Sequence, residues 1–188
     1  MNLHELIADT LRSGEVVVLP TDTVYGLVAD PRSASAMQRL FDLKGRPEGV
    51  PIAVLVGSTS DARELVRANG LFDDLAARHW PGSLTLVADA VDDSLLIGEA
   101  QGSLGVRVPD HPLIAAVTSI FGAIAATSAN RHGSPTLTQA SDVEKEFGGY
   151  VDLIVDGGRL DGAPSTVVDV RGSSPIVLRE GAISLDHE

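Results

Sequence analysis

The sequence predicts an α/β protein with a twisted, open, mixed β-sheet and helices packed around it. Short continuous apolar runs, typical of strands that are buried on both faces, recur along the chain. Helical apolar patterns lie between several of these runs. The later runs follow one another without long helices, so part of the sheet is expected to be antiparallel. The 188 residues, 44% of them hydrophobic and 21% charged, fit one domain over 1–188.

The elements follow from these patterns in chain order. Residues 3–13 form an amphipathic pattern that ends at Gly14, which predicts the first helix. Further helices are predicted over Ser33–Leu43 and Asp61–Val66, from Asp110 to Gly122, and around Lys145. Seven apolar runs predict strands: Val16–Leu19, Ile52–Val56, Leu84–Val87, Ala123–Ala126, Leu153–Val155, Thr166–Val170 and Ile176–Leu178.

Composition disfavours several classes of protein. The net charge of −12 repels nucleic acid, so direct tRNA binding is expected to be weak or absent. No apolar run approaches the ~20 residues of a membrane span. Residues 1–14 lack the apolar stretch of a secretory signal, so no membrane association and a cytoplasmic location are expected. Cysteine is absent, which rules out disulfides, thiolate metal sites and a cysteine nucleophile.

Short polar side chains follow two of the predicted strands. The run Val16–Leu19 leads into residues 20–27 (PTDTVYGL), and the run Ala123–Ala126 leads into residues 127–130 (TSAN). Ligands of open α/β sheets bind beyond the carboxyl ends of strands, where hydroxyl and amide groups can hydrogen bond to a small polar molecule. Taken singly, the same residue types more often cap helices or form turns.

The few cations are informative in so acidic a chain. Of its two lysines, Lys145 lies between Glu144 and Glu146, as expected for a solvated helix face. Lys44 and Arg46 end a predicted helix. There they either complement the helix dipole or form an anion site, with lysine as a point charge and arginine as a planar fork.

Arg107 interrupts the strand-like run 105–109, and Arg179 follows the run Ile176–Leu178. Each guanidinium either points to solvent or meets an anion in a cleft, because an unpaired buried charge is costly. The five histidines are not spaced as metal ligands, so no metal site is predicted. No Walker motif, G-x-G-x-x-G or G-x-S-x-G is present, so any bound ATP is not held by a conventional phosphate loop.

Seven segments together carry a resemblance to a known family. They are PTDTVYGL at 20–27, K-x-R-P at 44–47, WPGSLT at 80–85, VRVP with HP at 106–112, SAN at 128–130, PSTVVD at 164–169 and LREG at 178–181. In this order they resemble the YrdC-type family of threonylcarbamoyl-adenylate synthases. The likeness extends from about Gly14 to Gly181.

The resemblance implies a large concave cleft and an enzyme, a nucleotidyltransferase. It implies that L-threonine, bicarbonate and ATP, with Mg²⁺, give threonylcarbamoyl-adenylate and pyrophosphate. The product would pass to a tRNA threonylcarbamoyl transferase complex for N6-threonylcarbamoyladenosine modification of tRNA. The chain ends soon after Gly181, so the short form without an additional C-terminal domain is expected.

The resemblance also implies roles for individual residues. Lys44 and Arg46 would be catalytic, binding the ATP phosphates and placing bicarbonate. The substrate-binding residues would be Thr21, Arg107, Ser128 and Ser165, and further nucleotide-binding residues would be Ser103, Ser128, Asn130, Thr138 and Arg179. His132 departs from the family, which often has a small hydroxyl residue there, so the loop 131–135 is expected to contact ligand differently. Removal of Lys44 or Arg46 is expected to lower turnover by orders of magnitude and to leave the fold intact, as for an exposed charge.

Three alternatives remain at this point. An RNA-binding module could use the same fold, although the charge of −12 disfavours it. A carbamoyl-transfer domain related to those of hydrogenase maturation would share similar chemistry, but those occur with zinc-finger-like domains that a chain without cysteine does not carry. A purely structural α/β domain is the third, and the seven ordered segments disfavour it.

Overall fold

The computed structural model describes residues 1–45, 52–95 and 102–185, so the predicted site residue Arg46 lies outside the described residues. The helices are α1 (Leu3–Arg12), α2 (Ala34–Lys44), α3 (Thr59–Leu65), α4 (Gly70–His79), α5 (Pro112–Phe121) and α6 (Ala140–Phe147). The strands are β1 (Val17–Leu19), β2 (Gly26–Ala29), β3 (Ala53–Leu55), β4 (Val66–Arg67), β5 (Leu84–Ala90), β6 (Ser103–Arg107), β7 (Ile124–Ser128), β8 (Leu153–Ile154), β9 (Thr166–Asp169) and β10 (Ile176–Arg179).

The strands form one mixed, open sheet in the order β10-β9-β5-β6-β3-β7-β2-β1-β8, with β4 paired to β5. The pairs β1–β8, β3–β6 and β5–β9 are parallel, and the remaining pairs are antiparallel. This topology confirms the predicted α/β class with a partly antiparallel sheet. Each of the seven apolar runs overlaps an observed strand.

Local signals explain where the helices begin and end. Asn2 and Glu5 form a capping box at the start of α1, which buries Ile7 and Leu11. Ser33 caps α2, and Gly45 ends it with the left-handed φ of 58° that glycine tolerates. Lys44 is therefore the last residue of α2. None of the helices in the described ranges is long and apolar enough to cross a membrane.

Several elements differ from the prediction. The strands β2 and β4 and the helix α4 were not predicted, and α4 begins after Asn69, whose side chain accepts a hydrogen bond from the Phe72 amide. The helix expected from Asp110 begins at Pro112, because proline is favoured in the first turn of a helix. His111 holds the capping position there without a side-chain capping hydrogen bond.

The central strands divide their side chains between two faces of the sheet, as alternation along a strand requires. One set enters the hydrophobic core: Val54, Leu84, Leu86, Leu104 and Val106. The alternate set lines a cavity on the other face: Ala53, Leu55, Thr85, Val87, Gly105 and Arg107. Along these strands the sheet separates the core cluster that contains Val54 from the cavity, while Leu55, on the cavity face, also packs in a second core cluster with Ile114.

Candidate functional site

The cavity has a volume of about 450 Å³, within the usual range for a small-molecule site. Its lining includes Gly26, Ala53, Gly105 and Ala126, which contribute little or no side chain. These small residues come from four neighbouring strands of the sheet, and they leave room above the sheet for a ligand. Polar side chains surround this region on several sides.

The first polar group is the loop of residues 20–25, which joins the antiparallel strands β1 and β2. The Thr21 hydroxyl accepts hydrogen bonds from the Thr23 and Val24 amides at 3.1 Å each, and it donates to the Val24 carbonyl at 2.7 Å. Thr21 lines the cavity and is 5% exposed. Its hydroxyl therefore holds the loop in shape next to the cavity.

Arg107, on β6, is fixed by three hydrogen bonds. Nε donates to the Gly82 carbonyl at 2.9 Å, Nη1 to the Thr23 hydroxyl at 3.1 Å, and Nη2 to Asp22 Oδ1 at 2.5 Å. Burial lowers the pKa of Arg107, and the neighbouring Asp22 carboxylate opposes that shift. Asp22 Oδ2 is buried and has no hydrogen-bond partner. The structure thus presents a rigid guanidinium whose charge is largely balanced by one carboxylate.

Arg179, on β10, is in a different environment. Its Nη2 donates to the Ser165 carbonyl at 2.7 Å, and Ser165 Oγ lies 2.8 Å from the Thr85 hydroxyl. Burial lowers the pKa of Arg179, and the positive charge of Arg107 lowers it further. The ion pairs found among the described residues do not include Arg179, so its positive charge remains available to an anion.

A β-bulge aims Arg179 at the cavity. The pairing of β10 with β9 shifts register between Val177, opposite Val168, and Arg179, opposite Val167. Such a bulge re-aims side chains by breaking the strict alternation of a strand. As a result Leu178 and Arg179, although consecutive, both line the cavity.

Lys44 lies at another edge of the site and is 3% exposed. Its Nζ donates to the Ser128 carbonyl at 2.7 Å, the Ser128 hydroxyl at 3.1 Å and Asn130 Oδ1 at 2.8 Å. Ser128 itself lines the cavity. The expectation that Lys44 behaves as an exposed charge is wrong, because its ammonium group holds the end of β7 to the end of α2.

The loop after Asn130 completes this connection. Asn130 Nδ2 donates to the carbonyls of Arg131 at 2.9 Å and Ser134 at 2.7 Å, and the His132 amide donates to the Lys44 carbonyl at 2.8 Å. The side chain of His132 is exposed and does not line the cavity. The loop therefore caps the carboxyl end of α2.

The structure brings most of the sequence-predicted residues together. Six of them line the cavity: Thr21, Ser103, Arg107, Ser128, Ser165 and Arg179. Lys44 adjoins this set, because its Nζ donates hydrogen bonds both to the cavity-lining Ser128 and to Asn130 Oδ1. Thr138 does not line the cavity, and its carbonyl accepts a hydrogen bond from the Leu160 amide at 2.8 Å.

Three participating residues were not predicted individually: Asp22, Thr23 and Thr85. Asp22 and Thr23 lie within the polar segment that follows β1, so the sequence indicated their region but not their bonds to Arg107. Thr85 had a detectable signal, because it is a polar residue between Leu84 and Leu86 on a buried strand. Alternation along that strand places its hydroxyl on the face opposite the core.

No acidic residue is among those that line the described cavity, and two acidic residues bonded to its lining arginines are engaged in ion pairs. Asp22 pairs with Arg107 at 2.5 Å, and Asp169 pairs with Arg171 at 2.6 Å. Within the described ranges no three histidine or carboxylate side chains form a group that could hold a metal ion. The described part of the cavity is therefore suited to anions.

Comparison with known proteins gives consistent matches along the chain. The Sua5_yciO_yrdC family model, described as telomere recombination, matches residues 9–181. The putative threonylcarbamoyl-AMP synthase of Mycobacterium tuberculosis (strain ATCC 25618 / H37Rv) is 36% identical over 190 residues, covering 94% of this chain and 83% of that protein. The threonylcarbamoyl-AMP synthase of Bacillus subtilis (strain 168) is 38% identical over 185 residues, covering 96% of this chain and 54% of that protein.

A solved structure of a related protein has a similar fold. The crystal structure of Pyrococcus abyssi Sua5 complexed with L-threonine is similar with a TM-score of 0.88 and 34% sequence identity. The match covers 95% of this chain and 54% of that one. This chain thus spans about half the length of the Bacillus and Pyrococcus proteins that it matches.

Proposed function

The chain belongs to the Sua5_yciO_yrdC family, and from this premise we propose that it makes threonylcarbamoyl-adenylate and pyrophosphate from L-threonine, bicarbonate and ATP. It would then be a nucleotidyltransferase. The observation that carries the proposal is the single cavity that collects Arg107, Arg179, Ser165 and Ser128 in a chain of net charge −12. So localised a set of cations and hydroxyls suits small anionic substrates.

The carboxylate of L-threonine is assigned to Arg107. An arginine side chain has five N–H donors, and Gly82, Thr23 and Asp22 occupy three of them. One N–H remains on each terminal nitrogen, which suits two-point binding of a carboxylate. Ser165 and the Thr21 loop lie on the same cavity and complete the proposed threonine site.

The ATP phosphates are assigned to Lys44, Ser128 and Arg179, together with Arg46. The three N–H groups of the Lys44 ammonium donate to Ser128 and Asn130, so a phosphate would exchange with one of these bonds. The bond to the Ser128 hydroxyl is the longest of the three. Ser103 lines the cavity and Asn130 borders it, in support of their nucleotide roles, whereas Thr138 lies outside the lining.

The proposed chemistry needs positioning more than a strong base. The threonine amine attacks the carbon of bicarbonate to form a carbamate, with loss of water. A carbamate oxygen then attacks the α-phosphorus of ATP, the bond to the bridging β-phosphate oxygen breaks, and pyrophosphate leaves. The cations Lys44, Arg46 and Arg179 would stabilise the charge that develops on the phosphates.

Magnesium is proposed to enter as MgATP, held by the nucleotide phosphates. This fits the described cavity, where Asp22 and Asp169 are engaged by arginines. No residue of the described chain is assigned as its ligand. The product is proposed to pass to a tRNA threonylcarbamoyl transferase complex in the cytoplasm, where ATP, threonine and tRNA are all present.

The test follows pyrophosphate release from purified protein incubated with MgATP, L-threonine and bicarbonate. Release should require all three substrates, and omission of any one should reduce it to background. Mass spectrometry should detect threonylcarbamoyl-adenylate in the complete mixture. Pyrophosphate release that continues without threonine would show that the acceptor is another molecule and would overturn the proposal.

A further inference from the structure

We propose that His111 is a positioning residue for the threonine site: its Nδ1–H engages the unpaired carboxylate oxygen of Asp22 and so keeps Arg107 oriented toward the threonine carboxylate. The inference rests on the proposed function, because that function assigns the threonine carboxylate to Arg107. It extends the site to a residue that does not line the cavity. His111 holds the capping position of α5, shortly after Arg107 in the chain, without a side-chain capping hydrogen bond.

The inference starts from two buried atoms, Asp22 Oδ2 and His111 Nδ1. Neither has a hydrogen-bond partner in the part of the chain that the structure describes. Burial lowers the pKa of His111, and the Asp22 carboxylate is close enough to oppose that shift. One atom is an acceptor, and the other can carry the imidazole proton. Because a buried polar group without a partner is costly, a hydrogen bond between them, directly or through one water, would satisfy both.

The imidazole can donate this bond in its neutral form. Burial brings the pKa of His111 below 6.5, although the charges of Asp22 and Asp110 oppose the shift. Near pH 7 the ring therefore carries one proton, and the acceptor Asp22 Oδ2 favours its position on Nδ1. The bond holds geometry and transfers no proton during the reaction.

A ligand in the cavity is a poor partner for Asp22 Oδ2. The Asp22 side chain is 11% exposed, its Oδ2 is shielded from solvent, and Asp22 is not among the residues that line the cavity. His111 also lies outside that lining. The two side chains therefore meet outside the cavity and act on the substrate through Arg107.

The consequence for Arg107 follows from how carboxylates bind a guanidinium. Asp22 Oδ1 takes one N–H of Nη2 at 2.5 Å, and the Thr23 hydroxyl takes one N–H of Nη1 at 3.1 Å. The other N–H of each nitrogen is the one proposed to bind threonine. A carboxylate with a free second oxygen favours binding through both oxygens. An unrestrained Asp22 would turn Oδ2 onto Arg107 and compete with the threonine carboxylate, and His111 prevents this.

The test compares His111→Leu with His111→Asn, which introduce side chains of nearly equal size. The asparagine amide can donate a hydrogen bond, whereas leucine has no donor. In pyrophosphate release, His111→Leu should raise the KM for L-threonine about tenfold, the effect of one lost hydrogen bond to a charged group. The KM for MgATP and kcat should stay near the wild-type values, since only binding of threonine is weakened. His111→Asn should restore the KM for threonine.

A second comparison shows whether His111 acts through Asp22. In Asp22→Asn the amide oxygen would face Arg107, so the amide NH2 would face His111 and could not accept its proton. His111→Leu should then raise the KM for threonine no further in that background. Thermal unfolding follows stability separately, because His111→Asn also favours capping of α5.

Failure of the wild type to use threonine would overturn the proposed function itself. Use of threonine by the wild type, combined with an unchanged KM for threonine in His111→Leu, would refute the positioning role alone. So would an equal rise of this KM in His111→Leu and His111→Asn, or a parallel rise of the KM for MgATP. Independent effects of Asp22→Asn and His111→Leu would show that His111 does not act through Asp22 and would also refute it.

Discussion

Replacement of Lys44 by methionine tests the link between α2 and β7. Methionine keeps an unbranched apolar side chain but removes the ammonium group that bonds Ser128 and Asn130. The Ser128 carbonyl and Asn130 Oδ1 would then each lose a donor in a region where Lys44 is 3% exposed. The Ser128 hydroxyl can rotate to another partner, and the Ser128 carbonyl still accepts from the Asn130 amide at 2.9 Å. Asn130 Oδ1 is therefore the acceptor that is left without a donor.

The size of the effect follows mainly from Asn130 Oδ1. A buried acceptor that loses its partner costs roughly 1–3 kcal/mol. The weaker satisfaction of the Ser128 carbonyl adds to this cost, and removal of a buried charge offsets part of it, because the ammonium group no longer has to be taken from water. We therefore expect the free energy of unfolding to fall by about 1–3 kcal/mol. The melting temperature of a protein of this size should fall by roughly 2–12 °C.

Lys145→Met is the matched control, because it removes the only other lysine, whose side chain is 76% exposed. Its free energy of unfolding should change by less than about 0.5 kcal/mol. Urea unfolding followed by circular dichroism measures both variants, and pyrophosphate release should fall to background in Lys44→Met but not in Lys145→Met. Equal stability of the two variants would refute the structural role of Lys44, and normal turnover in Lys44→Met would refute its catalytic role.

Three further substitutions test the cavity, the hydrogen bond of Tyr25 and the pH dependence of stability. Gly105→Leu should stop pyrophosphate release and change the melting temperature little, because the new Cβ would lie 3.5 Å from its nearest neighbour while the rest of the side chain fills the cavity. Tyr25→Phe should lower the free energy of unfolding by about 1–2 kcal/mol in urea titration, since the phenol accepts from the Gly157 amide, whereas the exposed Tyr150→Phe should not. Burial lowers the pKa of His111 below 6.5, so the unfolded chain takes up the proton first. The contribution of His111 to the free energy of unfolding is fully present above pH 6.5 and is lost as the pH drops toward the folded pKa. In His111→Phe the free energy of unfolding should therefore depend less on pH between about pH 7.5 and 5.5.

The sequence predicted the sheet well because buried strands carry their signal locally. The runs Val16–Leu19 and Leu84–Val87, for example, contain β1 and the start of β5. The strand β2 was not predicted, because its apolar run Gly26–Ala29 directly continues the polar segment that was assigned to a loop. Helix α4 carries an Asn69 cap and was also missed.

Most of the described residues assigned to the candidate site meet at one cavity, but their arrangement was not predicted. Hydroxyl-rich strand ends and isolated cations identified Arg107, Ser128 and Arg179, and the structure places them on one cavity. The burial of Lys44 could not be predicted, because it depends on Ser128 and Asn130, which lie 84 and 86 positions later in the sequence. The direction of Arg179 depends on the bulge in β10, and a register shift leaves no trace in the hydrophobic pattern.

The contacts that shape the cavity join distant parts of the polypeptide. Asp22 and Arg107 are separated by 85 positions, Lys44 and Asn130 by 86, and Thr85 and Ser165 by 80. Neither half of the polypeptide contains both members of any of these pairs, so the cavity depends on long-range contacts that only the complete sheet provides. Loss of turnover in rising urea should therefore coincide with the cooperative unfolding transition.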